Sequence, residues 1–167
     1  MINPNLCYKS LGMSTHILPY FQKYKEELEY INLEGFSWTH MIPLELILEE
    51  PILKVVHATH KIAGGGIFRI APNRSYKWHQ DIVRGIAINM LLEHEESFVL
   101  FGNDVSDFED QFEIVRLESK IGELYLFNTQ CMHSVINFSG YRYLFTLNFE
   151  EDKSTLRYEN FFRKRDA

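Results

Sequence analysis

Apolar and polar positions alternate with two different patterns along the chain, and the first pattern has the period of a helix. Within residues 16–33 apolar side chains recur at a spacing close to the repeat of an α-helix. Pro51 can open a second helix that runs to about residue 60, because proline is tolerated in the first turn of a helix. Residues 1–63 are therefore predicted to form a mainly helical N-terminal support.

The second pattern, in residues 64–149, consists of short β-type apolar runs separated by polar turns. Seven such runs are present, at residues 66–70, 82–92, 97–101, 112–117, 123–127, 133–137 and 141–149. Seven short strands in one stretch predict a β-sandwich or barrel, followed by a C-terminal tail over residues 150–167. The sequence contains neither an internal repeat nor a linker rich in Pro, Gly or Ser, so a single domain is predicted.

Composition narrows the classes of function. Of the 167 residues, 46% are hydrophobic and 14% aromatic, which suits a globular protein rich in strands. The formal net charge of −6 disfavours a nucleic-acid partner, because phosphate binding usually needs a basic face. The two cysteines are too few for a disulfide framework, and no apolar run approaches the roughly 20 residues of a membrane span. We expect a soluble, cytoplasmic protein, and the sequence carries no signal for its oligomeric state.

A histidine and a carboxylate stand two positions apart in Trp78-His79-Gln80-Asp81, where a polar loop runs into an apolar segment. In extended chain, residues two apart point to the same face, so both side chains can reach one metal ion. His133 begins a later β-type run and is the candidate third ligand. Two histidines and one carboxylate form the facial triad of non-haem Fe(II) sites, which leaves coordination positions open for a cosubstrate and oxygen.

Other histidines offer weaker alternatives. His94 also has a carboxylate two residues later, at Glu96, but the surrounding run of charges is typical of a solvated turn. His57 and His60 can share a face of the second predicted helix, yet no carboxylate follows them at ligand spacing. We therefore predict the metal site at the triad and not at these positions.

The ordered set of His79-x-Asp81, Gly122, His133 and Arg142 resembles the Fe(II)/2-oxoglutarate-dependent oxygenases. The resemblance covers roughly half of the chain, and its motifs are similar to the aspartyl/asparaginyl hydroxylase-like and prolyl-hydroxylase-like branches. It implies a mainly β (α+β) fold, a double-stranded β-helix of the jelly-roll, cupin-like kind, with N-terminal helices packed on it. It also implies Fe(II) and 2-oxoglutarate as cofactors, and a hydroxylation coupled to decarboxylation of 2-oxoglutarate.

The resemblance further implies how 2-oxoglutarate is held. In such enzymes a basic residue on the strand after the distal histidine binds the far carboxylate, and Arg142 matches this position. A guanidinium fork suits bidentate recognition of a carboxylate. Thr146 lies four residues further along the same face of the predicted strand and is a candidate hydrogen-bond donor to that carboxylate. Asn89 shares the face of His79 and Asp81 by the same alternation, and is a candidate cosubstrate contact.

Tyr76, Trp78 and Arg84 are candidates for the substrate pocket. The two aromatic residues line either the pocket entrance or the barrel edge. Arg84 either touches cosubstrate or substrate or forms a surface salt bridge, because strand alternation places it opposite the ligands. A small-molecule or peptide substrate is expected, selected by residues 103–111 and the N-terminal helices, and no motif identifies it. A cupin-like metalloenzyme that does not use 2-oxoglutarate and a metal-free jelly-roll binding module are the alternative functions.

Overall fold

A computed structural model of the protein describes residues 2–103 and 113–163. The strands, in chain order, are β1 (Tyr8–Met13), β2 (Ile31–Asn32), β3 (Ser37–Ile42), β4 (Ile62–Ile70), β5 (Arg74–His79), β6 (Ile86–Glu93), β7 (Glu96–Gly102), β8 (Ile114–Leu117), β9 (Glu123–Asn128), β10 (Met132–Ser139) and β11 (Arg142–Phe149). The α-helices are α1 (Ile17–Tyr24), α2 (Leu44–Ile47) and α3 (Pro51–Thr59), and short 3-10 helices lie at Pro4–Leu6, Lys25–Glu27 and Tyr158–Asn160.

The strands form two antiparallel sheets that face each other. The larger sheet has the order β1-β9-β6-β11-β4-β3-β2, and the smaller has the order β5-β10-β7-β8. Side chains of β7 and β9 pack together between the sheets, including Phe101 and Phe127, whose rings are 5.4 Å apart. This two-sheet arrangement confirms the predicted mainly β, jelly-roll architecture.

The seven predicted strands correspond to β4 and to β6 through β11. The run predicted over residues 82–92 begins four residues later, at Ile86, and the first residue of the run 112–117 lies outside the described residues. The strand β5 was not predicted, because its sequence Arg-Ser-Tyr-Lys-Trp-His is polar at most positions. None of the described helices has the length and apolar character that crossing a bilayer requires.

Residues 1–63 contain the three α-helices, but they also contain strands that the sequence did not predict. The first helix ends at Tyr24 instead of continuing to residue 33, although α3 lies where the second helix was predicted. The strands β1 and β3 occupy much of the remainder, and they pair with β9 and β4 in the larger sheet. Their strand pattern is hidden because buried positions of β3 carry the polar residues Ser37 and Thr39, while β1 is mostly exposed.

A buried carboxylate fixes the start of α1 against the rest of the protein. Glu50 is fully buried and accepts hydrogen bonds from the hydroxyl of Ser14 (2.7 Å) and from the backbone N–H groups of Thr15 (2.9 Å) and His16 (3.0 Å). Burial raises the pKa of Glu50, but these hydrogen bonds outweigh it and hold the pKa below its usual value. The helix then buries Ile17 and Phe21 in the main core against the larger sheet.

Candidate metal centre

Two imidazoles meet where the neighbouring strands β5 and β10 are paired. His79, the last residue of β5, lies opposite His133 in the register, and their ring centroids are 4.2 Å apart. Asp81 follows β5 after one residue and lies in a loop that continues to residue 85, so the strand predicted over residues 82–92 is wrong in its first four residues. The backbone N–H of Asp81 donates to the carbonyl of Thr129 (3.0 Å), which turns the loop back toward β10. The three predicted ligands therefore come together, through a strand end and a loop.

Hydrogen bonds to the backbone orient both imidazoles. The Nδ1 atom of His79 lies 2.7 Å from the carbonyl oxygen of Lys77, and Nδ1 of His133 lies 2.8 Å from that of Cys131. A carbonyl oxygen can only accept, so each Nδ1 carries the proton and each Nε2 presents a free lone pair. Each Nε2 lies 3.8 Å from Oδ1 of Asp81. Fixing the tautomer in this way is how proteins commonly prepare a histidine for a metal ion.

The second oxygen of Asp81 is already engaged. Arg84 donates from Nε to Oδ2 of Asp81 (2.6 Å) and from Nη1 to the side-chain oxygen of Asn148 (2.9 Å). This arrangement corrects the expectation that strand alternation turns Arg84 away from the ligands, because the residue lies in the loop between β5 and β6. The side-chain amide of Gln130 donates to the carbonyl oxygens of Asp81 (3.0 Å) and Arg84 (2.8 Å). The loop thus holds one carboxylate oxygen and leaves the other free.

These residues fit a first-row divalent metal ion. The three ligand atoms lie within 4.8 Å of one another, and no other group of three potential ligands was found in residues 2–103 and 113–163. Adjacent ligands about 2.1 Å from an octahedral ion lie about 3 Å apart, so the ligand atoms would have to approach one another by about 1–2 Å to bind a metal. Burial lowers the pKa of His133 and so favours the neutral imidazole that a metal requires.

The rival histidines belong to other parts of the structure. His94 lies between β6 and β7, and Glu96 is exposed at the start of β7. His57 accepts a hydrogen bond from the backbone of Ile62 (3.1 Å), and Nε2 of buried His60 lies 3.0 Å from a backbone carbonyl oxygen. These contacts account for the two helix histidines as structural residues.

A cavity of about 270 Å³ lies between the two sheets beside the triad. The predicted site residues that line it are Tyr76, His79, Arg84, Asn89, His133, Arg142 and Thr146. Trp78 is absent from the lining formed by the described residues. The pairs His133–His79 and Val135–Tyr76 show that β5 contains one extra residue between these positions, so alternation along β5 is interrupted there.

Arg142 is almost completely buried at the start of β11, with 1% of its surface exposed. Its Nε donates to the hydroxyl of Ser97 (3.1 Å), while Nη1 is buried without a hydrogen-bond partner. None of the carboxylates in the described parts of the chain forms an ion pair with it. Burial lowers the pKa of Arg142 to about 10. The guanidinium is therefore a charged group that lines the cavity and has no anionic partner among the described residues.

Asn89 and Thr146 lie opposite each other on β6 and β11, and both line the cavity. The predicted reason for placing Asn89 near the ligands is wrong, because β6 belongs to the larger sheet while His79 ends a strand of the smaller one. The residue reaches the same cavity from the opposite side. Its Oδ1 is buried without a hydrogen-bond partner.

Comparison with known proteins gives no match to a protein-family model and no match to a curated protein sequence. Solved structures do match. HygX from Streptomyces hygroscopicus, with nickel, 2-oxoglutarate and hygromycin B bound, is 12% identical, with a TM-score of 0.63 over 89% of this chain and 84% of that one. A prolyl-4-hydroxylase from Pseudomonas putida is 12% identical, with a TM-score of 0.59 over 86% and 92% of the two chains. A prolyl hydroxylase from Trichoplax adhaerens, in complex with a peptide fragment of hypoxia inducible factor, is 11% identical, with a TM-score of 0.61 over 86% and 82%.

This chain has their fold. The similarity confirms the jelly-roll, double-stranded β-helix architecture that the sequence motifs implied, and it extends beyond them into the N-terminal region. At these levels of identity the comparison establishes the fold, and the function has to be argued from the site itself.

Several residues of the site carried no signal in the sequence. Ser97, near the start of β7, accepts a hydrogen bond from Arg142. Gln130, in the turn before β10, donates a hydrogen bond to the backbone carbonyl of Asp81. Leu33 and Glu34 line the cavity from the turn between β2 and β3, in the region predicted to be helical. Residues 104–111 of the predicted substrate-selecting loop lie outside the described residues.

Proposed function

We propose that the protein is an Fe(II)- and 2-oxoglutarate-dependent oxygenase that hydroxylates its substrate. The observation that supports this function is one cavity lined both by His79 and His133, which converge with Asp81, and by the guanidinium of Arg142. A buried charge without a partner costs several kcal/mol, so an anionic ligand that neutralises it explains why the residue is there. The far carboxylate of 2-oxoglutarate is such an anion.

The residues then have distinct roles. His79, Asp81 and His133 would hold the iron through Nε2, Oδ1 and Nε2, the atoms that their other hydrogen bonds leave free. When bound, iron and 2-oxoglutarate supply an oxidation by O₂ that converts 2-oxoglutarate to succinate and CO₂ and places one oxygen atom in a C–H bond of the substrate. Because Arg84 binds Oδ2 of Asp81, only Oδ1 of this carboxylate would coordinate the iron, and positions would remain open for cosubstrate and oxygen.

The opposite wall of the cavity would bind the cosubstrate. Nη1 of Arg142 can donate to its far carboxylate, and the hydroxyl of Thr146 and the amide of Asn89 can add hydrogen bonds from the same wall. This wall also contains apolar residues such as Phe68, which exclude water. Hydrogen bonds to charged groups are stronger in a water-free cavity.

The ligands of similar structures support this proposal. The HygX structure contains nickel, 2-oxoglutarate and hygromycin B, and the Trichoplax adhaerens structure contains a peptide. We accordingly propose a small-molecule or peptide substrate for this chain.

The free thiols of Cys7 and Cys131 are compatible with a cytoplasmic location. The pairing of β1 with β9 within one sheet is consistent with a single domain.

An anaerobic titration tests the function directly. Protein is mixed with Fe(II), and 2-oxoglutarate is then added while the visible absorbance is recorded. The proposed oxygenase gives the metal-to-ligand charge-transfer band of the chelated keto acid. A cupin-like metalloenzyme of another kind binds Fe(II) without this band, and a metal-free binding module binds neither. Succinate formation in air with candidate peptides and metabolites then identifies the substrate.

A further inference from the structure

The solvent end of the cavity carries an acidic side chain that the proposed function does not use. Glu34 is exposed in the turn between β2 and β3, and it lines the cavity together with the neighbouring Leu33. It is the only carboxylic acid residue among the lining residues that belong to the described part of the chain. The closed end of the same cavity contains buried Arg142. The two ends therefore carry opposite charge.

The backbone of this turn is held in place. The N–H of Gly35 donates to the side-chain oxygen of Asn32 (3.1 Å), and the N–H of Leu33 donates to the carbonyl of Ser37 (2.9 Å). Gly35 has a φ of +74°, a left-handed conformation that glycine adopts without strain. The position of the carboxylate at the cavity entrance is thus a consequence of a defined turn.

The carboxylate has no cationic partner within the described residues. Glu34 takes part in none of the ion pairs found there. Of the two arginines that line the cavity, Arg84 is bound to Asp81 and Asn148, and Arg142 is buried behind the space for the cosubstrate. Within residues 2–103 and 113–163, Glu34 is therefore available to a positive charge on a bound ligand.

An aromatic ring lines the same cavity as this carboxylate. Tyr76 lines the cavity half-buried, and its ring lies 5.2 Å from that of Phe36, two residues after Glu34. Burial and, to a lesser extent, the negative charge of Glu34 raise the pKa of the Tyr76 phenol. A carboxylate and an aromatic ring that line one cavity are a suitable environment for an organic cation, because both attract positive charge.

We propose that Glu34 is a specificity-determining residue and that the substrate carries a cationic nitrogen, an ammonium or guanidinium group, bound at this entrance. The inference rests on the proposed oxygenase function, since it concerns the substrate side of the same cavity. Leu33 and Tyr76 would contact the apolar stem that connects the cationic group to the carbon to be hydroxylated.

Matched pairs of probes test the proposal. Nα-acetyl-lysine methylamide is compared with its Nε-acetylated form, and Nα-acetyl-arginine methylamide with the corresponding citrulline derivative. Each pair differs mainly in charge. Binding is measured by isothermal titration to the full chain loaded anaerobically with Fe(II) and 2-oxoglutarate. The cationic member of at least one pair should bind more tightly, and added salt should reduce the difference, because the contact is solvent-exposed.

Variants identify the residue responsible. Glu34→Gln should weaken binding of the cationic probe about two- to fivefold, the scale of an exposed ion pair, and leave the neutral probe unchanged. Glu49→Gln removes an exposed carboxylate outside the cavity lining and serves as the control. Equal binding within both pairs, no binding at millimolar concentration, or a preference that survives Glu34→Gln would overturn the inference. The 2-oxoglutarate titration of the same samples separates this result from failure of the proposed function, which would abolish cosubstrate binding itself.

Discussion

Replacement of Arg142 by methionine should change stability and cosubstrate binding in opposite directions. Burial lowers the pKa of this guanidinium from 12.5 to about 10. At about 1.36 kcal/mol for each pH unit, the charged side chain destabilises the cosubstrate-free fold by about 3 kcal/mol. This cost is present in full below the folded-state pKa and disappears only as the pH rises from there toward the unfolded value. Methionine has an unbranched side chain of similar volume and no charge, so at neutral pH the variant should unfold at a higher temperature than the parent.

Cosubstrate affinity should fall in the same variant. Truncation of one partner of a buried, hydrogen-bonded charge pair costs about 2–5 kcal/mol, which corresponds to a dissociation constant for 2-oxoglutarate raised by about 30-fold to several thousand-fold. Arg142→Lys should recover part of this loss, because lysine restores the charge without the planar fork. Affinity for Fe(II) should stay close to that of the parent, since Arg142 contacts none of the triad residues.

The assay combines thermal unfolding, with and without 2-oxoglutarate, and the anaerobic absorbance titration. The parent should be stabilised by 2-oxoglutarate, and the Arg142→Met variant should not be. Arg69→Met is a matched control, because Arg69 lies on the adjacent strand β4 and contacts the rings of Tyr30 and Trp38 outside the cavity. It should bind 2-oxoglutarate as the parent does. Unchanged 2-oxoglutarate affinity in Arg142→Met would refute the role assigned to this residue.

Three further predictions concern the ligands and the fold. Asp81→Ala should abolish Fe(II) binding in the anaerobic titration, whereas Glu96→Ala should not. The reverse result would place the metal site at His94 and Glu96. Arg84→Met should weaken Fe(II) binding about 10- to 100-fold, as loss of a residue that orients a ligand does, and unchanged affinity would exclude this role. Glu50→Gln should lower the free energy of unfolding by about 1–3 kcal/mol in urea at neutral pH, with Glu49→Gln as control. Because folding lowers the pKa of Glu50, this difference should decrease as the pH falls below the ordinary pKa of a glutamate and vanish below the folded-state pKa, and a difference independent of pH would contradict the assignment.

The proximity of the three candidate ligands could be predicted from the sequence, because it is indicated by the short spacing of two of them and by the order of the motifs along the chain. The spacing of His79 and Asp81 was informative although the strand assumed for it ends at His79. The face of Arg84 could not be derived, since it depends on where that strand ends. Glu34 could not be found at all: it reaches the cavity from a hairpin turn far away in sequence, and a single exposed glutamate has no local signature.

The fold was predictable where burial alternates along a strand with apolar residues at the buried positions. Phe145 and Leu147 on β11 show this pattern, with Thr146 between them less buried. The N-terminal strands were missed for the opposite reason. Ser37 and Thr39 are buried in β3 although they are polar, because β3 pairs with β4 within the larger sheet, a contact that the local sequence does not reveal.

The position of β11 sets the order in which the protein can be completed during its synthesis. This strand comes last in the chain among the described strands, yet it lies in the middle of the larger sheet, between β6 and β4. While a ribosome is still making β11, the facing edges of β4 and β6 have no native partner, and exposed strand edges of this kind favour aggregation. The cavity wall that carries Arg142 forms only when β11 is inserted. Binding of the cosubstrate must therefore follow translation of this last strand, and chaperone contact is most useful to the nascent chain in the interval before it.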